Sequence, residues 1–301
     1  MRIIVWILTL FFIVSGQKRF SSDYFVKIYN LKLPEVTREM LDVTKLIHTS
    51  DSWEYSYQGN TEKLDSVVQN LTIQRYENTR SIQHYTYVLD TVKVTDVIFA
   101  IEKGDTLHQS VKNYTDNYRS KEVLDIMRNC IWKSRFDERG IKLLDVSKCP
   151  GENEFGGQVF RLEKHENYLE SIPIKEGVVD SNNIRRYYLA PFDSIVADFL
   201  VERNKTPVFF NLIIYNKQQQ PVYKYSFDVF RQSNPVVNYN YHTYDNAGRL
   251  KRIYLFYIKN WNSPEDGFVL TNFTEYEYDE LGRKKKKTTK VRPDKKEKKT
   301  D

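Results

Sequence analysis

The pattern Tyr-Asp-x-x-Gly-Arg is written twice between Pro235 and Lys287, as Tyr244-Asp245-Asn246-Ala247-Gly248-Arg249 and as Tyr278-Asp279-Glu280-Leu281-Gly282-Arg283. An Asp side chain accepts hydrogen bonds from backbone N–H groups just ahead of it, and Gly supplies the positive φ that closes a turn. Flanked by alternating tyrosines, each copy reads as the turn of an antiparallel hairpin. With Asp245 across from Arg249, Tyr241 faces Ile253, Tyr239 faces Leu255 and Val237 faces Tyr257, so one face is apolar throughout. A slip that set Tyr241 against Arg252 would break that face. In the second copy the same register sets Glu277 across from Lys285 and Glu275 across from Lys287. Tyr276 and Tyr278 then share the other face with Lys284 and Lys286.

These residues resemble the YD repeat of the RHS-type family, whose units centre on Tyr-Asp-x-x-Gly-Arg-Leu. The first copy runs on into Leu250, while the second departs from the pattern at Lys284. The resemblance implies extracytoplasmic β-hairpins in a shell, stalk or surface protein, although two units are too few to build a shell.

Met1-Arg2, the apolar run Ile3–Val14 and the small residues Ser15-Gly16 have the layout of a secretory signal peptide, with cleavage expected after Gly16. The run is too short to span a bilayer as a helix, which takes about 20 residues, and no later segment is long and apolar enough to do so. The expectation is a secreted or periplasmic protein with no transmembrane segment after cleavage. The composition favours a bacterial source over an animal one.

The fold class expected is α+β, mostly antiparallel β, with a helical N-terminal part followed by a β-meander and C-terminal hairpins. Val36, Met40, Leu41, Val43, Leu46 and Ile47 fall at helical spacing over Pro34–Thr49, and Leu64, Val67, Val68 and Leu71 suggest a shorter helix. A third helix is expected over Lys121–Arg139, capped by Ser120 and ended by Gly140, with Val123, Leu124, Ile126, Met127, Cys130 and Ile131 on one face. Strands are expected at 81–89, 92–102 and 106–114. From Ile141 onward the pattern is β, with strands at 141–146, 158–162, 184–189, 195–201, 208–215, 222–230, 236–243, 250–259 and 268–278. The organisation expected is a signal peptide over 1–16, a mixed part over 17–150, an antiparallel β part over 151–287 and a disordered basic tail over 288–301.

Cys130 and Cys149 are the two cysteines, and in an exported protein such a pair is expected to be bridged. The formal net charge of +6 is local, because Arg283–Asp301 holds eleven Lys or Arg against three Asp or Glu. Lys284, Lys286, Lys290, Arg292, Lys295 and Lys296 could therefore bind an anionic envelope surface or polysaccharide. Specific nucleic-acid binding is not expected, because the tail lacks interleaved aromatics.

No nucleophile elbow, zinc-protease motif or phosphate-cradling glycine loop is present. His48, His84, His108, His165 and His242 are isolated from one another, and no metal or cofactor is expected. The reading is a non-enzymatic binding or cell-envelope structural protein. The alternative is an extracytoplasmic glycan hydrolase whose paired carboxylates come from distant strands and cannot be named from sequence.

Overall fold

The computed structural model describes residues 19–44, 46, 48–71, 79–101, 103–201, 207–228, 236–259 and 267–291. The leader and Arg292, Lys295 and Lys296 lie outside the described residues. The chain is a single antiparallel meander. Its first strands are β1 (His48–Tyr57), β2 (Leu64–Leu71), β3 (Thr79–Val88), β4 (Thr91–Ala100), β5 (Thr106–Thr115) and β6 (Ser120–Asp125). β7 (Cys130–Phe136), β8 (Lys142–Lys148), β9 (Gly156–Lys164), β10 (Leu169–Lys175), the two-residue β11 (Val178–Val179) and β12 (Ile184–Leu189) follow. The last are β13 (Ile195–Val201), β14 (Pro207–Tyr215), β15 (Pro221–Asp228), β16 (Val236–Tyr244), β17 (Leu250–Ile258), β18 (Phe268–Tyr278) and β19 (Lys284–Val291).

Apart from β11, which pairs only with β10, each strand pairs with its neighbours along the chain, β10 pairs with β12 past the short β11 arm, and β1 pairs with β19. The result is a closed barrel of 18 antiparallel strands, each paired on both sides, with β11 outside the ring. This overturns the α+β expectation. Among the described residues there is one α-helix, α1 (Ser22–Ile28), and a 3₁₀ turn at Glu39–Leu41. Leu64–Leu71 is strand, and Lys121–Arg139 is the β6–β7 hairpin with its turn at 126–129. That hairpin carries apolar residues on both faces, so its run of Val, Leu, Ile and Met mimics helical spacing.

The closed barrel also overturns the expectation that no segment crosses a membrane. That expectation rested on helix length, and no helix among the described residues is long and apolar enough to cross. Closed antiparallel barrels are the β architecture that spans bilayers, so helix length does not bear on this fold. The start of the expected tail is part of the closure. Thr288–Val291 belongs to β19, and Lys284, Lys286 and Lys290 lie in that strand between β18 and β1.

One turn geometry recurs along one rim of the barrel, at Asp137–Ile141, Ala190–Ser194, Asn216–Gln220, Asp245–Arg249 and Asp279–Arg283. In each, the first N–H donates to the fifth carbonyl at 2.8–2.9 Å and the fourth N–H donates to the first carbonyl at 2.9–3.1 Å. The fourth residue (Gly140, Asp193, Gln219, Gly248, Gly282) has φ between 61 and 80°. A one-residue bulge follows each turn, leaving Leu143, Val196, Val222, Lys251 and Lys285 without a ladder partner. The bulge corrects the expected register. Tyr241 faces Tyr254, Tyr239 faces Phe256, Glu277 faces Lys286 and Glu275 faces Thr288.

The largest core lies on one face of β13–β18. Phe199, Phe210, Phe227, Tyr239 and Phe256 are buried there, with Phe199–Phe210 and Phe210–Phe227 stacked at 4.8 and 4.3 Å. The N-terminal segment covers them. Phe20 and Phe25 of the segment are buried against this face, the Phe20 N–H donates to the Leu189 carbonyl, and the Tyr225 hydroxyl donates to the Pro34 carbonyl. Burying five such rings is worth on the order of 10 kcal/mol of transfer free energy before entropy is counted.

Candidate functional site

Tyrosines join successive turns along the rim. The Tyr215 hydroxyl donates to the carbonyl of Ile195, Tyr244 to Pro221, Tyr278 to Leu250 and Tyr57 to Lys284. Each of these tyrosines precedes a turn, and each acceptor follows the turn before it. Tyr87 continues the series by accepting from the Leu64 N–H at 2.9 Å. Cations sit over the same rings, with Arg249 over Tyr278 at 4.5 Å, Arg283 over Tyr57 at 4.4 Å and Lys63 over Tyr87 at 5.2 Å.

The eight turn residues singled out in the sequence thus belong to one architectural device. Asp245 Oδ1 accepts from the Ala247 and Arg249 N–H groups while Oδ2 accepts from Arg249 Nε, and Asp279 does the same with Leu281 and Arg283. The backbone N–H of Arg249, and then its guanidinium, hold the Asp245 carboxyl below its ordinary value. Gly248 and Gly282 provide the positive φ, and Tyr244 and Tyr278 provide the link to the preceding turn.

Of the basic residues expected to bind an anion, Lys284, Lys286 and Lys290 lie in the closing strand. Lys286 lies between Glu54 and Glu277 in the ladder, and Lys284 Nζ sits 5.5 Å from the Tyr276 ring. Lys290 faces Phe273 and Thr49. Cys130 and Cys149 are bridged, with Cα atoms 4.2 Å apart. The bridge ties the ends of the adjacent strands β7 and β8.

The concave feature with ligand-like chemistry lies on one face of β7–β12, where the sequence signalled nothing. Paired residues of an antiparallel ladder share a face, so Leu162, Ser171 and Arg185 fall in one row. Phe160 and Gln158 on β9 and Tyr187 on β12 lie on the same face by the two-residue period. Ser171, Arg185, Phe160, Gln158 and Tyr187, with Phe136, Lys142 and Asn183, line a cavity of about 460 Å³. A second cavity of about 660 Å³ flanks it across the Asp137–Ile141 turn and is lined in part by Phe192, Tyr215, Glu138 and Asp193. Glu138 pairs with Arg139 at 3.4 Å and Asp193 pairs with Arg19.

The polar groups of the smaller cavity are held in place. Gln158 and Asn183 both donate to Asp180 Oδ2, at 3.4 and 2.8 Å. Lys142 Nζ donates to Asp145 Oδ2 at 2.6 Å, and Arg185 lies 3.4 Å from Asp198 Oδ1. The Asn211 amide also donates to Asp198 Oδ1, at 3.1 Å. Each cation is therefore charge-compensated, and the cavity presents three aromatic rings with oriented, electrically balanced hydrogen-bonding groups.

No protein-family model matches this sequence, and no curated protein matches it. Among solved structures, a porin-like protein from Bacteroides uniformis aligns over 81% of this chain and 96% of its own, at 6% identity and a TM-score of 0.31. A protein from Bacteroides fragilis, provisionally assigned as a 6-phosphogluconolactonase, aligns over 80% and 87%, at 9% identity and a TM-score of 0.24. Both scores fall below the level at which two chains share a fold, so the closed barrel rests on this chain's own strand pairing.

Proposed function

We propose that this chain is a cell-envelope β-barrel that acts by binding, and that the 460 Å³ cavity takes a neutral, hydroxyl-rich ligand of sugar size. The observation that carries the reading is the composition of that cavity. Phe136, Phe160 and Tyr187 offer ring faces, Gln158, Ser171 and Asn183 offer amide and hydroxyl groups, and Lys142 and Arg185 are already neutralised by Asp145 and Asp198. A volume of this size suits a small ligand. Stacking on rings together with fixed hydrogen-bond partners suits hydroxylated ring surfaces better than ions.

Binding is favoured over glycan hydrolysis because hydrolysis needs two carboxyl groups flanking the scissile bond, roughly 5–10 Å apart. No carboxylate is among the residues that line this cavity. The disulfide supports an oxidising, extracytoplasmic location.

The test is calorimetric titration with a panel of neutral mono- and oligosaccharides. At least one is expected to bind, and Phe160→Ala and Tyr187→Ala are each expected to weaken it tenfold or more, the loss of one stacking face. A panel that gives no heat, or affinities unmoved by both substitutions in folded protein, overturns the reading.

A further inference from the structure

The other face of the β9–β10 hairpin carries a separate cluster. Glu163 and Glu170 stand directly opposite each other in the ladder. Like charges in that position oppose each other and destabilise a strand pair unless something positive lies between them. Arginines meet part of the need: Arg161 Nε reaches Glu163 Oε1 at 2.8 Å and Arg186 Nε reaches Glu170 Oε1 at 2.9 Å. Both partners are taken through Oε1. The two Oε2 atoms are turned toward His165 Nε2, at 4.0 Å for Glu163 and 3.8 Å for Glu170.

His165 Nε2 is shielded from solvent yet has no hydrogen-bond partner. A neutral or protonated imidazole nitrogen left so is costly, and here it faces two carboxylate oxygens at distances too long for hydrogen bonds. The ring is held by Tyr168, whose centroid lies 4.6 Å away, and Tyr168 is in turn covered by Arg186 at 4.9 Å. The three ligand atoms lie within 4.8 Å of one another. A point equidistant from the corners of such a triangle is about 2.2–2.5 Å from each, within a few tenths of an ångström of zinc–nitrogen and zinc–oxygen bond lengths.

We propose that Glu163, His165 and Glu170 form a divalent-metal site. One imidazole and two carboxylates favour zinc over calcium or magnesium, whose sites are built from oxygens alone. Three protein ligands leave a fourth position open to water or to a ligand's oxygen. The arginines orient the carboxylates and also offset their charge, so the affinity expected is on the order of micromolar rather than the tighter binding of an all-anionic site. Sequence spacing hides the site, because Glu170 reaches the other two across the hairpin.

The test is isothermal titration of the folded full-length chain with zinc chloride at neutral pH, together with thermal unfolding with and without zinc. The intact chain is expected to bind one equivalent and to melt higher in its presence. His165→Ala and Glu163→Gln/Glu170→Gln are expected to weaken binding tenfold or more and to abolish the zinc-dependent rise in Tm, while His84→Ala, on β3, leaves both unchanged. Because the zinc-dependent shift is read against each variant's own metal-free melt, a loss of intrinsic stability does not mimic the result. Absence of a one-equivalent site in the intact chain, or a site that survives His165→Ala or the double glutamine change, overturns the proposal.

Discussion

Asp245 shows how one side chain can set a turn. Its carboxylate accepts two backbone N–H groups and a guanidinium, an arrangement available only to the ionised form. Its folded pKa is held below the ordinary value, so the linked stability is whole above the unfolded carboxylate pKa. It erodes as pH falls past that value and is gone once pH drops through the lowered folded pKa. Asp245→Asn should therefore lower Tm at neutral pH and flatten the acid limb of the Tm–pH profile, as followed by scanning fluorimetry from about pH 7 to about pH 2. Superimposable profiles would refute the role. Tyr278 offers a companion measurement, since its hydroxyl donates to the Leu250 carbonyl at 2.7 Å. Tyr278→Phe should cost about 1 kcal/mol in urea unfolding, and a value near zero would show that solvent replaces the bond.

At the scale of elements, the turns explain what was legible and what was not. Asp245–Arg249 and Asp279–Arg283 could be read because Asp and Gly sit where the geometry wants them. Asn216–Gln220 uses the same turn with Asn216 Oδ1 accepting from the Gln218 and Gln220 N–H groups, but Gln219 replaces the glycine. Phe136-Asp137-Glu138-Arg139-Gly140 lay inside the expected third helix, so its Asp-x-x-Gly signal was absorbed by the helical reading. The strands at 184–189, 195–201 and 268–278 were legible to the residue, because alternation and punctuation agree there. The ladder register was not, since a bulge leaves no residue-type signature. The cavity and the Glu163 cluster were hidden for a related reason, as both are assembled across ladders. Backbone proximity at one ladder position, Gly157 opposite Val146, can be tested directly. A Cβ on Gly157 would meet the Asp145 carbonyl oxygen at 2.3 Å and Val146 Cα at 2.8 Å, whereas one on Gly151 meets nothing within 4 Å. Both glycines have positive φ, so both substitutions carry the left-handed penalty. Gly151→Ala should cost about 1–2 kcal/mol and Gly157→Ala about 3 kcal/mol or more, read as a difference in urea midpoint. Equal costs would show that β8 can move aside.

For the whole molecule, the distribution of burial says which part of the barrel can stand without help. On β13–β18 the stacked rings are covered by the chain's own segment, with Phe25 at 2% exposed and Leu46 at 3%. Among the described residues the segment is tied on by the Phe20–Leu189 backbone bond, the Tyr225 hydroxyl bond to Pro34 and the Arg19–Asp193 ion pair, and its apolar side chains pack across the aromatic face. The eighteen-strand closure does not depend on it, because β1 meets β19 through its own ladder. Two consequences can be separated. Phe25→Ala should destabilise the native state by about 3–5 kcal/mol if segment and barrel unfold together. If instead the segment docks as a separate unit, the same change should leave the main transition in place and expose a protease-sensitive stretch between residues 19 and 46. Because the segment contributes no strand to the closure and packs on it through apolar side chains, the second outcome is favoured. Limited proteolysis with dye binding by the exposed aromatic face should then report early cleavage, with the Cys130–Cys149 hairpin and the β1–β19 seam intact. A single cooperative loss of the whole chain would show that the aromatic core cannot persist uncovered and that the segment is integral to the barrel.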